Sequence, residues 1–147
     1  MNMIRNIETT DYSRLIEIWE SAVLSTHDFL QREDFLYYKE HLPLYFQHVA
    51  LWGFEREGRL VGFIGMADGN IEMLFVDNEC RGGGIGTSLI GYAIENLHAA
   101  TVDVNEQNGQ AVGFYKRMGF EVRKRSELDG EGKEYPVLHM SLSLPKE

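Results

Sequence analysis

Ile71-Glu72-Met73-Leu74-Phe75-Val76, followed by Cys80-Arg81-Gly82-Gly83-Gly84-Ile85-Gly86-Thr87 and by apolar residues at Ile85, Leu89, Ala93 and Leu97, is the stretch that decides the fold. The apolar run predicts a strand, the glycines a tight turn, and the spacing of four a helix. Strand, glycine loop and helix start, in that order, make an anion cradle. The first four N–H groups of a helix have no partner inside it, and the macrodipole adds partial positive charge at the same end. Glycines let the backbone turn with φ > 0 and let a ligand come close. A phosphate or pyrophosphate is the natural occupant.

Two known cradles fit this loop poorly. The Walker type needs Gly-x-x-x-x-Gly-Lys, but the sixth position from Gly82 is Thr87 and the Lys is missing. The dinucleotide type, Gly-x-Gly-x-x-Gly, would end on Thr87 or Leu89. Asp103 does lie at about the right distance downstream for a ribose-binding acid. What remains is Arg-x-x-Gly-x-Gly, Arg81 to Gly86. Taken alone, this motif leaves a ligand-free strand-to-helix turn open.

At 147 residues the chain is expected to form one domain with a real core. Its 14 Lys plus Arg stand against 23 Asp plus Glu, a formal net charge of -9, which argues against nucleic acid as a main partner. A cationic substrate is compatible with that balance. The lone Cys80 makes no internal disulfide. Met1-Asn2-Met3-Ile4-Arg5 leads straight into polar residues, without a signal peptide, and no apolar run is long enough to span a membrane. The cytoplasm is the expected location.

Outward from the central stretch, Met3 to Ile7 alternates as a first strand. Leu15, Ile18, Trp19, Ala22 and Val23 then mark one face of a helix that starts at Thr9-Thr10-Asp11 and ends near Ser25 to His27. Gln31 to His48 reads as a second helical segment, split or kinked at Pro43. Val49 to Glu55 and Arg59 to Met66 form a hairpin around Glu57-Gly58, and a turn at 67–70 leads into the strand that ends at Val76. After the glycine loop and its helix, Thr101 to Val104 returns as a strand parallel to Ile71–Val76, through a right-handed crossover. Asn108 is a plausible N-cap for a helix carrying Ala111, Phe114, Tyr115 and Met118, which Gly119 ends. Phe120 to Arg125 and Val137 to Leu144 pair as the last hairpin, around the charged loop 127–134.

Arg81-Gly82-Gly83-Gly84-Ile85-Gly86, followed about a strand later by Asn105-x-x-Asn108-x-x-Ala111-x-x-Phe114-Tyr115-x-x-x-Gly119-Phe120, resembles the GCN5-related N-acetyltransferase superfamily, in its small single-domain bacterial form. The resemblance covers nearly the whole chain. It implies an α/β (α+β) fold: a central, twisted, mostly antiparallel sheet, a splayed parallel strand pair, and about four helices on both faces.

The resemblance also implies the chemistry. Acetyl-coenzyme A would lay its pyrophosphate on the N–H groups of Arg81, Gly82, Gly83, Gly84, Ile85, Gly86 and Thr87. Its pantetheine amides would pair with backbone groups of Leu74, Phe75 and Val76, left free by the splay. The Val76 N–H would polarise the thioester carbonyl. Asn108 would bond the cofactor's arm, and Tyr115 would be the general acid, a phenol of pKa about 10 set against a thiol of about 8.5. Glu72 is expected on the same face as Leu74 and Val76, as a base working through water, with His27 the runner-up. Phe29, Trp52 and Tyr135 are candidates for the acceptor wall. The acceptor would be a primary amine, a small molecule or a protein, attacked directly without an acyl-enzyme and without a metal. A coenzyme A-binding regulatory module that has lost catalysis, a nucleotide-binding fold and a homodimer stay open.

Overall fold

The computed structural model describes residues 2–143. Seven strands form one sheet: β1 (Asn2–Asn6), β2 (Ala50–Arg56), β3 (Arg59–Ala67), β4 (Asn70–Val76), β5 (Thr101–Asn105), β6 (Phe120–Ser126) and β7 (Val137–Leu142). Their order across the sheet is β1-β2-β3-β4-β5-β7-β6. Every neighbouring pair is antiparallel except β4 with β5. Four α-helices join them: α1 (Tyr12–Thr26), α2 (Arg32–Phe46), α3 (Ile85–Asn96) and α4 (Gly109–Arg117). The sequence expectation is met in element order and type. The last strand stops at Leu142; Leu144, its expected end, lies outside the described residues.

The hairpin turns follow local chemistry. Glu57 and Gly58 both take positive φ, as do Asp68 and Gly69, which is the geometry whose twist matches a two-residue hairpin. Alternation along the strands then divides the apolar residues between two cores. Leu15, Ile18, Trp19, Leu42 and Phe46 of α1 and α2 bury against Leu51, Leu60 and Phe63 on one face. Ile85, Leu89, Ile90 and Ala93 of α3 bury against Val61, Ile64, Ile71, Val102 and Met140 on the other.

Helix α2 corrects the expectation of two separate pieces. It runs unbroken from Arg32 to Phe46 with Pro43 inside it. Pro43 is exposed, while Leu42 and Phe46 beside it are 2% and 1% exposed. Burying those two side chains, about 2 kcal/mol each, offsets the roughly 3 kcal/mol that an interior proline costs.

The parallel pair β4–β5 is short. Only Asn70 with Thr101 and Ile71 with Val102 are in register. Beyond Ile71 the two strands part, and the carboxyl half of β4 has a neighbour on one side only, β3.

Candidate active site

The N–H of Asp77 donates to the Val61 carbonyl at 2.8 Å, and Val76 stands opposite Gly62. In an antiparallel ladder, residues alternate between bonding the partner and facing away from it. Phe75 and Asp77 therefore bond β3, and the N–H and C=O of Leu74 and Val76 face the gap left by β5. Backbone polar groups next to such a gap need a partner. This corrects the expectation for Phe75: its backbone bonds β3 rather than the gap, and its side chain packs on the α1–α2 core.

The gap opens into a cleft of ≈ 660 Å³, bounded by Leu74, Phe75 and Val76, by the loop Arg81–Gly82, by Gly84 to Thr87, and by Asn108 to Ala111 with Phe114, Tyr115 and Arg117. At its inner end Gly84 caps α3 with φ 79° and offers no side-chain oxygen to the helix. The first bond of α3 is Ser88 N–H to the Gly84 carbonyl, 2.9 Å. The N–H groups of Ile85, Gly86 and Thr87 are thus left to the cleft. Gly82 also has positive φ, 83°. Gly83 differs: it is not part of the cleft wall, and a Cβ there would stand 3.0 Å from Arg56 Nη2. Arg81 bonds Asn78 Oδ1 at 3.3 Å and, across the cleft mouth, Gln110 Oε1.

Two sequence-predicted residues, Asn108 and Tyr115, line the cleft. Asn108 caps α4, its Oδ1 accepting from Ala111 N–H at 3.2 Å, and lines the cleft. Tyr115 is 6% exposed, and burial pushes its phenol well above the usual range, so it holds its proton at neutral pH. Each fully buried side-chain nitrogen and oxygen among the described residues has a partner. The Tyr115 hydroxyl has no protein partner there, so it faces the open cleft.

A second cavity, ≈ 280 Å³, lies on the α1–α2 side of the sheet. Trp19, Tyr38, Tyr45, Phe75 and Tyr135 wall it, with Glu72 and Asp129 at its edges. Here a further expectation is overturned. Gly65 pairs Met73 and Met66 pairs Ile71, so Glu72 has no partner on β3. This bulge breaks the alternation. Glu72 therefore borders the second cavity beside Met73 and Phe75, whereas Leu74 and Val76 line the cleft. Glu72 is exposed and accepts a bond from the Asn70 amide. Trp52 is likewise misplaced by the sequence reading, since it packs on the α3 side against the other core. Tyr135 is in the wall, with Phe29 behind it at 6.1 Å between rings.

The charged loop 127–134 closes this cavity against α2. Tyr38 donates to Asp129, Tyr45 to Glu131, and Tyr135 to Asp34, while Lys133 pairs with Asp34 at 3.1 Å. Sequence reasoning missed Tyr38, Tyr45 and Arg117. The signal for the first two was there: Tyr38, Leu42 and Tyr45 recur on one face of α2.

Charge divides cleanly between the two spaces. Among the described residues no Asp or Glu lines the cleft, and the charged ones there are Arg81 and Arg117. Among the described residues no Lys or Arg lines the second cavity. Of the described residues, the two share His27 and Phe75. In a chain of net charge -9, a cleft with a helix N-terminus, two arginines and a sheet gap fits the diphosphate and amides of coenzyme A.

These features define an acyltransferase that draws on a coenzyme A thioester. Comparison with known proteins agrees. Residues 25–144 match the model of the acetyltransferase (GNAT) domain. The peptidyl-lysine N-acetyltransferase YjaB of Salmonella typhimurium strain LT2 is 39% identical over 138 residues, 93% of this chain and 95% of that protein. The solution structure of the apo form of YjaB from Escherichia coli superposes with a TM-score of 0.86 at 37% identity, covering 96% of this chain and 97% of that one. A PaiA N-acetyltransferase from Thermoplasma acidophilum, in complex with coenzyme A, shares the fold at a TM-score of 0.72 and 19% identity, over 95% of this chain and 98% of that one. The chain belongs to the GNAT acetyltransferase family. It is an N-acetyltransferase that carries the acetyl group of acetyl-CoA to an amine.

Proposed function

We propose that the amine is the side chain of a protein lysine, acetylated by direct attack on the thioester. The observation that carries this reading is the division of charge. A cleft suited to an anionic donor meets a cavity suited to a cationic acceptor, and Phe75 and His27 form their common edge. A lysine side chain is a slim apolar stem with an ammonium tip. Aromatic walls hold the stem, and the carboxylates of Glu72 and Asp129 attract the tip. The relatives' name, peptidyl-lysine N-acetyltransferase, supports the same acceptor.

In this reading, the N–H groups of Gly82, Gly84, Ile85, Gly86 and Thr87 hold the pyrophosphate, Arg81 adds charge, and Gly83 shapes the loop under Arg56. Leu74 and Val76 pair with the pantetheine amides as a neighbouring strand would, while Phe75 flanks them and Asn108 bonds the arm. The Val76 N–H supports negative charge as it develops on the carbonyl oxygen. Tyr115 supplies a proton to the departing sulfur. Glu72 draws the ammonium toward the edge. The acetyl donor belongs to the cytoplasm, which supports a cytoplasmic setting, and the two cores on one sheet support a single domain.

The test is an acceptor screen with free-thiol detection, using acetyl-CoA and peptides that offer either a lysine or only an α-amine, with spermidine as a third acceptor. Thiol release that depends on the lysine is expected. Release with spermidine or α-amines and silence with lysine peptides overturns the acceptor.

A further inference from the structure

His27 closes α1, just where the cleft meets the second cavity. Its surroundings set its protonation in two steps. The Thr26 hydroxyl donates to the Ala22 carbonyl at 2.8 Å, which uses its only hydrogen. The same oxygen lies 2.7 Å from His27 Nδ1. With that hydrogen on Ala22, Thr26 Oγ1 accepts there and Nδ1 carries the hydrogen, the tautomer that the first test below reads. Burial lowers the imidazole's pKa, and the nearby Asp28 only partly opposes this. The neutral ring is favoured, and in that tautomer its Nε2 bears a free lone pair. Among the described residues no group bonds Nε2.

We propose that His27 Nε2 is the general base that strips the acceptor ammonium at the edge of the cleft. This rests on the lysine-acetyltransferase reading above, and it assigns the proton step to His27 rather than to Glu72. The protons balance as follows. Nε2 takes one proton from R–NH3+, leaving R–NH2. The amine nitrogen bonds the carbonyl carbon, and the carbon–sulfur bond then breaks. The second nitrogen proton goes to the departing thiolate by way of the Tyr115 hydroxyl. The imidazolium returns its proton to solvent, so each turnover yields an amide, a thiol and one H+.

Glu72 is the weaker base on geometry. It lies beside the acceptor cavity alone, is solvent-exposed, and is held by Asn70. Other ionisable groups around His27 enter the pH behaviour. They are Tyr38 and Tyr45 of α2, Glu72 of β4, and Asp129 and Tyr135 beyond β6. From the cleft come Cys80, Arg81, Tyr115 and Arg117. Tyr38, Tyr45 and Tyr115 are pushed up and stay protonated near neutrality.

The first test reads the tautomer without turnover. Nitrogen-15 NMR of the whole protein should show one neutral imidazole with its hydrogen on Nδ1, assigned by its loss in His27→Gln. A hydrogen on Nε2 overturns the proposal. The second test uses the pH–rate profile with a lysine peptide. His27→Gln should lower kcat about a hundredfold and remove the acid-side limb, with acetyl-CoA affinity by calorimetry within about twofold of the parent. Glu72→Gln should raise the acceptor KM and keep that limb. Asp28→Asn, which removes a charge that favours the imidazolium, should move the limb to lower pH. A limb that persists in His27→Gln and disappears in Glu72→Gln overturns the proposal. Failure of the wild type to acetylate any amine, with the Nδ1–H tautomer in place, would count against the transfer reading instead.

Discussion

Arg14 of α1 and Asp77, the residue after β4, are held at 2.8 Å, Nη2 to Oδ2. Arg14 Nε also donates to the Leu60 carbonyl at 2.9 Å, and the Ser21 hydroxyl reaches Asp77 Oδ1 at 3.2 Å. Asp77 is 6% exposed. Burial pushes its carboxyl up, but the Glu79 N–H, the Arg14 guanidinium and the Ser21 hydroxyl outweigh that and hold it below the usual range. Through this pair the helix that carries His27 is fixed to the segment that enters the glycine loop.

Asp77→Asn should therefore cost about 2 kcal/mol at pH 7, less than a fully buried pair because Arg14 keeps some solvent. The sign of the pH effect follows from the lowered folded pKa. The stabilisation is complete above the ordinary carboxylate value of about 3.9 and is lost as pH falls through the folded value. Urea melts of both proteins should differ at pH 7 and draw together as pH falls below that carboxylate value. Equal stability at pH 7 would remove the pair from the account.

Tyr115→Phe should lower turnover about a hundredfold, since the phenyl ring fills the same space without a proton to give. Acetyl-CoA affinity, read by calorimetry, should stay within about twofold. Unchanged turnover excludes Tyr115 from the proton path.

Gly84→Ala puts a Cβ on a residue whose φ is 79°, a strain of about 1–2 kcal/mol. Nothing lies within 4 Å of that Cβ, so the backbone conformation alone carries the effect. The N-terminus of α3 should shift and weaken acetyl-CoA binding about tenfold. Arg81→Ala should weaken binding by a similar factor through lost charge, with a shallower salt dependence. Calorimetry at two ionic strengths separates the two. A salt dependence unaltered in Arg81→Ala places its guanidinium outside the anion site.

Tyr38→Phe removes one of the bonds that hold loop 127–134 against α2. The acceptor KM should rise several-fold while acetyl-CoA affinity holds. Steady-state kinetics against each substrate in turn reads this directly. A change confined to the acetyl-CoA side would contradict the placement of the acceptor.

Much of this was legible in the residues themselves. The glycine loop needs its glycines in the left-handed region at 82 and 84, Asn108 needs a free N–H three residues on, and the hairpin turns need Glu57-Gly58 and Asp68-Gly69; local chemistry sets all of these. Glu72 was not legible, because a bulge depends on how β3 packs opposite and not on the alternation of β4 itself. Pro43 misled for a similar reason: the burial of Leu42 and Phe46 is a tertiary gain that local propensity does not register. Trp52 was placed on the wrong face by a reading of residue type without register. The tyrosine–carboxylate bonds between α2 and loop 127–134 join residues about 90 apart in the chain, as with Tyr38 and Asp129, and no local pattern announces them.

Because β7 inserts between β5 and β6, the strand at the edge opposite β1 is β6. Its open backbone could recruit a strand from another molecule. Phe-Glu-Val-Arg-Lys-Arg-Ser carries four charged side chains along that rim, three of them positive in a chain that is acidic as a whole. They act as gatekeepers against fibrillar stacking. Neutralising Arg123, Lys124 and Arg125 should leave the fold standing and turn the protein sticky at high concentration.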